Sequence, residues 1–255
     1  MRLKVLGCSG GIGDGLRTTS LLIDDDILID CGTGVGDLSL DEQARLQHIF
    51  ITHTHLDHIA ALPLLIDTLF DRLQERPLVV HALPESIEIL RQHIFNWQIW
   101  PDFFELPNRE HPVVRFEPMV PGEPVSVGAR RLEMVPVNHA VPAVAYCVRT
   151  DSRVLAFSGD TTTNDTLWDA LNAYERLDLL VVECAFANHD RALSDMAKHY
   201  CPETLIADLA KLRHQPRTCI THLKPGDEDE IFGELEAGMP ERELLRLRSG
   251  DVFQL

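Results

Sequence analysis

The sequence is short of positive charge. Lys and Arg number 23 against 40 Asp and Glu, a formal net charge of −17. A field of that sign repels polyanions at long range. A nucleic-acid binder would need a compact basic patch, and the chain has no Lys/Arg cluster of that kind. A small anion can still be captured at one positive point, such as a metal. The sequence also lacks any CxxC pair. Its six cysteines (Cys8, Cys31, Cys147, Cys184, Cys201 and Cys219) are scattered, mostly inside apolar, strand-like runs. In a chain of 255 residues that points to reduced, partly buried thiols rather than a disulfide framework. No apolar stretch reaches the roughly 20 residues that span a bilayer. The start, "MRLKVLGCSGG", has too brief an apolar run for a signal peptide. A soluble cytoplasmic protein without a membrane partner is expected. There is no internal repeat and no low-complexity tract.

What is present suits a sizeable core: 45% of residues are hydrophobic. "RLKVLGCSGGIGDG" reads as a short strand opening into a glycine-rich loop. No helix pattern follows, so the loop is not a dinucleotide fingerprint and is expected at the rim of a site. "TSLLIDDDILIDCGTG" reads as a hairpin around Asp24, Asp25 and Asp26. "LSLDEQARL" predicts a short helix capped by Ser39, with Glu42 three residues on. "HIFITHTH" is a strand. "LDHIAALPLLIDTLFDRL" has helical periodicity, with Pro63 either near a first turn or kinking it. Strands are expected at "RPLVVHAL", "VVRFEPM", "VSVGARRLEMVPVNH", "AVAYCVRTDSRVLAFSGDT", "LDLLVVECAF" and "TCITHLK". Helices are expected at "PESIEILRQHIF", "TLWDALNAY" and "PETLIADLAKLRH". The acidic run "GDEDE" reads as a solvated loop or helix start. Helix and strand alternate in both halves, which suits two face-to-face sheets with helices outside.

One stretch carries a chemical signal. "ITHTHLDHIAALPLL" places His53, His55, Asp57 and His58 within six residues at the end of an apolar strand. Side chains two apart on a strand share a face, so His53 and His55 can grip one metal. Asp57 falls where a helix begins, and His58 turns off the strand's face, so this second pair suits a second ion. Imidazole with carboxylate suits zinc, iron or manganese. Three further strand-end positions complete seven ligands: His139 after "LEMVPVN", Asp160 in "SGDT" and His222 in "CITH". A carboxylate at Asp160 can bridge two cations.

"HTHLDH", His139, "SGDT" and "THLK" resemble, in order and spacing, the metallo-β-lactamase superfamily, and "LLIDDDILIDCGTG" resembles its first hairpin. The resemblance covers nearly the whole chain, so residues 1–255 are expected to form one such domain. It implies an α/β fold: a four-layer αβ/βα sandwich of two mixed sheets with outer helices. It puts His53, His55 and His139 on one metal, Asp57, His58 and His222 on the other, and Asp160 between them. Two divalent ions are implied, zinc first, with manganese or iron as alternatives. With both HxH and DH present, the implied chemistry is hydrolysis.

Three stretches narrow the substrate. "HTHLDHI", "HIFNWQIWPDF" and "LLVVECAF" with "MAKHYCPETL" resemble the class II cyclic-nucleotide phosphodiesterases. The resemblance implies opening of a 3',5'-cyclic phosphate by metal-bound hydroxide, on a small-molecule phosphodiester rather than a nucleic acid. The chain departs from that pattern at Ala61, at Lys198 and at Cys201, which stand where other residues are usual. By the same resemblance His199 reaches the phosphate, to steady charge or protonate the leaving oxygen, and Glu183 is placed to orient it. Asp57, His199 and Glu183 are therefore the expected catalytic set. Asp30 is a candidate to take a hydrogen bond from a ligand imidazole, or simply to cap a turn. Trp97, Trp100 and Phe103 are candidates to stack on a base, with core or homodimer contact weighed above that. Lys198 is a candidate to add an anion contact, with an exposed lysine weighed above that. Alternatives are a tRNA 3'-end-processing nuclease, which "SGDT" and "ECAF" also resemble, an arylsulfatase or ester hydrolase, and a non-catalytic metal-bound nucleotide sensor.

Overall fold

Short apolar strands buried on both faces set the architecture. In the computed structural model, which describes residues 1–255, the first sheet contains strands β1 (Arg2–Gly7), β2 (Ser20–Ile23), β3 (Ile27–Ile29), β4 (His48–Phe50), β5 (Leu78–Ala82) and β6 (Val114–Pro118). The second contains β7 (Val125–Val127), β8 (Arg130–Pro136), β9 (Val144–Arg149), β10 (Val154–Phe157), β11 (Leu179–Glu183), β12 (Arg217–Thr221) and β13 (Leu244–Arg246). A final strand, β14 (Val252–Gln254), returns to pair with β1. Each sheet thus has seven strands, in the orders β14-β1-β2-β3-β4-β5-β6 and β13-β12-β11-β10-β9-β8-β7. Both are mixed. β1–β3 and β7–β10 run as antiparallel meanders, and β3–β6 and β10–β13 are parallel.

Both faces of each sheet are buried, so the central strands read as continuous apolar runs rather than polar alternation. Ile27, Ile29 and Phe50 point between the sheets, beside Leu155, Phe157, Leu179 and Val181. Their neighbours Leu28, Ile49 and Val80 point to the helices outside the first sheet. Ala156, Leu180 and Val182 do the same on the second. Three cores therefore separate four layers, as expected. All six cysteines are free and buried, and no helix is long and apolar enough to cross a membrane.

The helices are α1 (Leu40–Gln43), α2 (Leu56–Ile59), α3 (Leu62–Thr68), α4 (Phe70–Glu75), α5 (Pro84–His93), α6 (Thr166–Asn172), α7 (Arg191–Ala197), α8 (Pro202–Leu209) and α9 (Glu228–Gly238). Ser39 and Glu42 form the expected capping box on α1. The periodic stretch after His55 is not one helix. It breaks into α2, α3 and α4, with Pro63 in the first turn of α3, where its missing N–H costs nothing. α7 was not anticipated, and the acidic run proves to be the first turn of α9, where negative charge suits the helix dipole. Cys201 sits at the N-cap of α8, paired with Thr204.

Candidate metal centre

The seven candidate ligands lie just beyond strand ends at one edge of the sandwich, five of them in loops and two, Asp57 and His58, in the short helix α2. His53, His55 and His58 follow β4 into α2, His139 follows β8, Asp160 follows β10, and His222 follows β12. Two groups of ligand atoms gather within 4.8 Å of one another: His53, His55, His139 and Asp160, and Asp57, His58, Asp160 and His222. The structure therefore brings the residues together in the two sets expected from the sequence.

The separations can be tested against what an ion requires. Tetrahedral coordination with bonds of about 2.0–2.1 Å puts neighbouring donors roughly 3.3 Å apart. His139 Nε2 lies 3.1 Å from His55 Nδ1. Asp160 Oδ2 lies 3.6 Å from His53 Nε2, 3.3 Å from His58 Nε2 and 3.1 Å from His222 Nε2. Asp57 Oδ2 lies 3.1 Å from His222 Nε2 and 3.6 Å from His58 Nε2. One oxygen, Asp160 Oδ2, faces both sets. Buried His53 Nε2 and His58 Nε2 have no hydrogen-bond partner, an arrangement that is costly unless an ion is seated against them. The donor set fits two divalent ions.

The tautomers are fixed from behind, as metal-ligating histidines usually require. His58 Nδ1 donates to Asp30 Oδ2 at 2.7 Å, so Asp30 is the orienting carboxylate rather than a simple turn cap. Thr52 donates to the same carboxylate through its N–H and hydroxyl, both at 2.8 Å, and its Oγ1 lies 3.0 Å from His53 Nδ1. His139 Nδ1 donates to the Lys198 carbonyl at 2.9 Å. Sequence reasoning missed Thr52 and Lys198 in these roles. The signal for Thr52 was a hydroxyl wedged between an apolar strand and the first ligand. Lys198 left none, because its backbone does the work. Two glycines permit the close packing: a Cβ on Gly32 would fall 2.3 Å from the Asp57 carbonyl oxygen, and one on Gly10 would fall 2.9 Å from His222 Nδ1. The glycine-rich loop thus lines the site, against His222.

Electrostatically the two sets differ. Burial pushes His53 well below the usual imidazole range, and lowers His55 and His139. Burial opposes charge on His58 and His222 too, but Asp160, with Asp30 for the first and Asp57 for the second, outweighs it. His58 is held well above the usual range and His222 is pushed up to about 10. Burial likewise opposes charge on Asp160 and Asp57, and the facing His222 and His58 hold both below the usual carboxylate range. Burial raises Asp30 despite its bonds to His58 and Thr52.

His199 and Glu183 stand beside this cluster. His199 Nδ1 donates to the fully buried Glu183 Oε1 at 2.8 Å. Glu183 also accepts from the backbone N–H groups of Thr161 (2.8 Å) and Tyr200 (3.2 Å), so it ties the Asp160 loop to the His199 segment. The His199 ring lies between those of His139 and His222, at centroid distances of 5.0 and 5.1 Å. Lys198, expected to be exposed, is half-buried and has φ +57°, with its Nζ donating to the His139 carbonyl at 3.3 Å. That backbone conformation is one that glycine adopts at lower cost.

The aromatic segment divides. Phe103 is fully buried in the core outside the first sheet. Trp100 lines an apolar cavity of about 310 Å³ with Leu56, Ile59, Pro63, Leu64 and Ile99. Trp97 is 63% exposed. Leu56 lies between His55 and Asp57 in sequence.

Comparison with known proteins agrees with this geometry. A "Probable 3',5'-cyclic-nucleotide phosphodiesterase" of Yersinia pestis is 24% identical over 290 residues, covering 91% of this chain and 82% of that protein. A "Ribonuclease Z" of Porphyromonas gingivalis is 33% identical over 160 residues, covering 56% of this chain and 48% of that protein. Among solved structures, unliganded yeast PDE1 superposes with a TM-score of 0.84 at 18% identity, covering 100% of this chain and 99% of that one. Residues 25–223 match the family described as the beta-lactamase superfamily domain. With this match spanning most of the sequence and the two ligand sets assembled at one sheet edge, the chain belongs to the beta-lactamase superfamily.

Proposed function

We propose that the protein is a dinuclear-metal phosphodiesterase that hydrolyses 3',5'-cyclic nucleotides, with residues 1–255 acting as one catalytic domain. The position of His199 carries this reading. Its ring spans the gap between His139 of one ligand set and His222 of the other, and Glu183 holds it there. A hydrogen-bond donor over the junction of two cations suits a phosphate seated on both. The Yersinia relative named for this activity supports the choice of substrate.

The ions, zinc in the first instance, would be held by His53, His55 and His139 and by Asp57, His58 and His222, with Asp160 shared. When bound, they supply an acidified water and neutralise the non-bridging oxygens of the phosphate. Asp57, whose side chain is 29% exposed, is the ligand carboxylate that solvent still reaches, so it is placed to take the proton of the incoming water. Water oxygen bonds to phosphorus as the ester P–O bond breaks. His199 hands a proton to the leaving oxygen, and Glu183 fixes the imidazole by accepting from Nδ1, leaving Nε2 for the substrate. Asp30 and Thr52 keep His58 and His53 aligned. The exposed apolar surface of Leu56, Leu64, Trp97 and Ile99 suits a homodimer contact. Six free, buried thiols suit a cytoplasmic location.

The ribonuclease Z relative favours a second reading, cleavage of tRNA 3' ends. The net charge of −17 opposes it. Metal-loaded protein should be assayed with cyclic AMP, cyclic GMP, a generic aryl phosphodiester and a precursor tRNA. Turnover of a cyclic nucleotide is expected. Cleavage of the generic diester with neither cyclic nucleotide turned over would sink the narrow reading, and tRNA cleavage at low protein concentration would establish the second. Nucleotide binding without product would make the protein a sensor.

A further inference from the structure

The chain contains four lysines: Lys4, Lys198, Lys211 and Lys224. Two are spent on carboxylates. Lys4 Nζ lies 3.4 Å from Glu42, and Lys211 Nζ lies 2.8 and 2.7 Å from Asp165 and Asp208. The other two stand at the metal centre, and neither has a carboxylate within 4.0 Å. With 40 acidic residues to 23 basic ones, carboxylate partners are plentiful elsewhere in the chain. Both residues are half-buried, and an ammonium without a counter-charge is free to pair with an anion that visits the site.

Their placement is related through the row of rings His139, His199 and His222. Lys198 immediately precedes His199, and its Nζ donates to the carbonyl of His139, at one end of the row. Lys224 lies two residues beyond His222, at the other end. Its Nζ donates to the carbonyl of Gly10 at 3.2 Å, the residue packed against the His222 ring, and sits 5.6 Å from the centroid of Phe186. Phe186 in turn meets the edge of His199 at 5.8 Å. An ammonium carries three N–H donors, and each of these spends one on a carbonyl, leaving two. Lys198 also holds a left-handed backbone conformation that glycine would adopt at lower cost.

We propose that Lys198 and Lys224 form an anion subsite astride His199 that takes the phosphoryl oxygens of the substrate and holds the phosphomonoester product. The proposal rests on the phosphodiesterase reading above and sharpens its substrate class. Hydrolysis of a cyclic phosphodiester forms a P–O bond to water and breaks one ester P–O bond, with a proton passing to the leaving oxygen. The product phosphate gains a second ionisable oxygen and stays attached to the nucleoside. Two free ammonium groups complement that dianion. A lactone or other carboxylic ester, which yields a single carboxylate, would leave one of them without a partner.

The test is calorimetric titration of inorganic phosphate into zinc-loaded wild type, K198M, K224M, the double variant and K224R, with zinc content measured on each. Each methionine should weaken phosphate binding roughly tenfold, the size of a lost charge-assisted hydrogen bond. The double variant should lose roughly a hundredfold. K224R should stay close to wild type, and zinc content should not change in any of them. A double variant with full zinc that binds phosphate as wild type does would overturn the proposal. If K198M fails to fold, K224M decides alone, and unchanged affinity there overturns it. Failure of the enzyme reading looks different: wild type would turn over no phosphodiester, while phosphate affinity would still depend on the lysines.

Discussion

The His53–His55–His139 set and the Asp57–His58–His222 set share Asp160 yet hold protons in opposite ways. The first is made of imidazoles that burial keeps neutral. The second faces carboxylates that keep His58 and His222 charged, while those imidazoles keep Asp57 and Asp160 ionised. In the protein alone, protons on two imidazoles do for the second set what a cation would do. The first set therefore offers lone pairs directly, whereas the second must give up protons as an ion enters. The two sets should differ in affinity, in pH dependence and in their response to mutation.

The largest effect should come from Asp160→Ala, which removes the oxygen common to both sets. Phosphodiesterase activity should fall by at least about a thousandfold, and elemental analysis should find both ions depleted. Asp57→Ala should separate the sets. Activity should be almost lost, and the protein should keep about one ion per chain, at the His53–His55–His139 set. Retention of two ions by Asp57→Ala would erase the distinction. Asp30→Asn acts one step further out, through His58 Nδ1. It should weaken the second ion by roughly ten- to a hundredfold and leave the first unchanged, read by competition with a chelator.

The smallest effect is on pH. The facing carboxylates push His222 up to about 10 and hold His58 well above its usual range, so at pH 7.5 metal uptake by the second set should release protons. Affinity of the second set should therefore rise with pH throughout the range below about 10. His53, His55 and His139 are shifted down, so they are already neutral at pH 7.5, and the first set should be nearly flat there. Calorimetry in two buffers of different ionisation enthalpy should show proton release with one equivalent of metal and almost none with the other. Equal release from both would contradict the assignment.

Much of this centre was legible before any coordinates. Most of the candidate ligands are polar residues just beyond the ends of apolar strands, and strand-end position is a local property that hydrophobic patterning reveals. That is why His139, Asp160 and His222 could be picked out although they lie far apart in sequence, and why the two-sheet architecture was recognisable. Asp30 was a candidate to accept from a ligand imidazole, with turn capping weighed equally, and it accepts from His58 Nδ1. What was hidden depends on backbone direction or long-range packing. The carbonyl of Lys198 orients His139, and no side-chain pattern signals a carbonyl. Phe103 goes to the core and Trp97 to the surface, a division that an irregular segment without periodicity does not disclose. The return of β14 to the first sheet likewise depends on where β1 lies in space. Pro63 was the one marker that the stretch after His55 would be interrupted, and the structure breaks it further than proline alone requires.

The most direct test of a two-ion phosphodiesterase is to titrate metal-free protein with zinc while following bound metal and hydrolysis of 3',5'-cyclic AMP together. The first equivalent should bind with little activity, and turnover should rise with the second and level off at two ions per chain. Full turnover at one ion per chain, or two bound ions with no hydrolysis of any cyclic nucleotide, would contradict it.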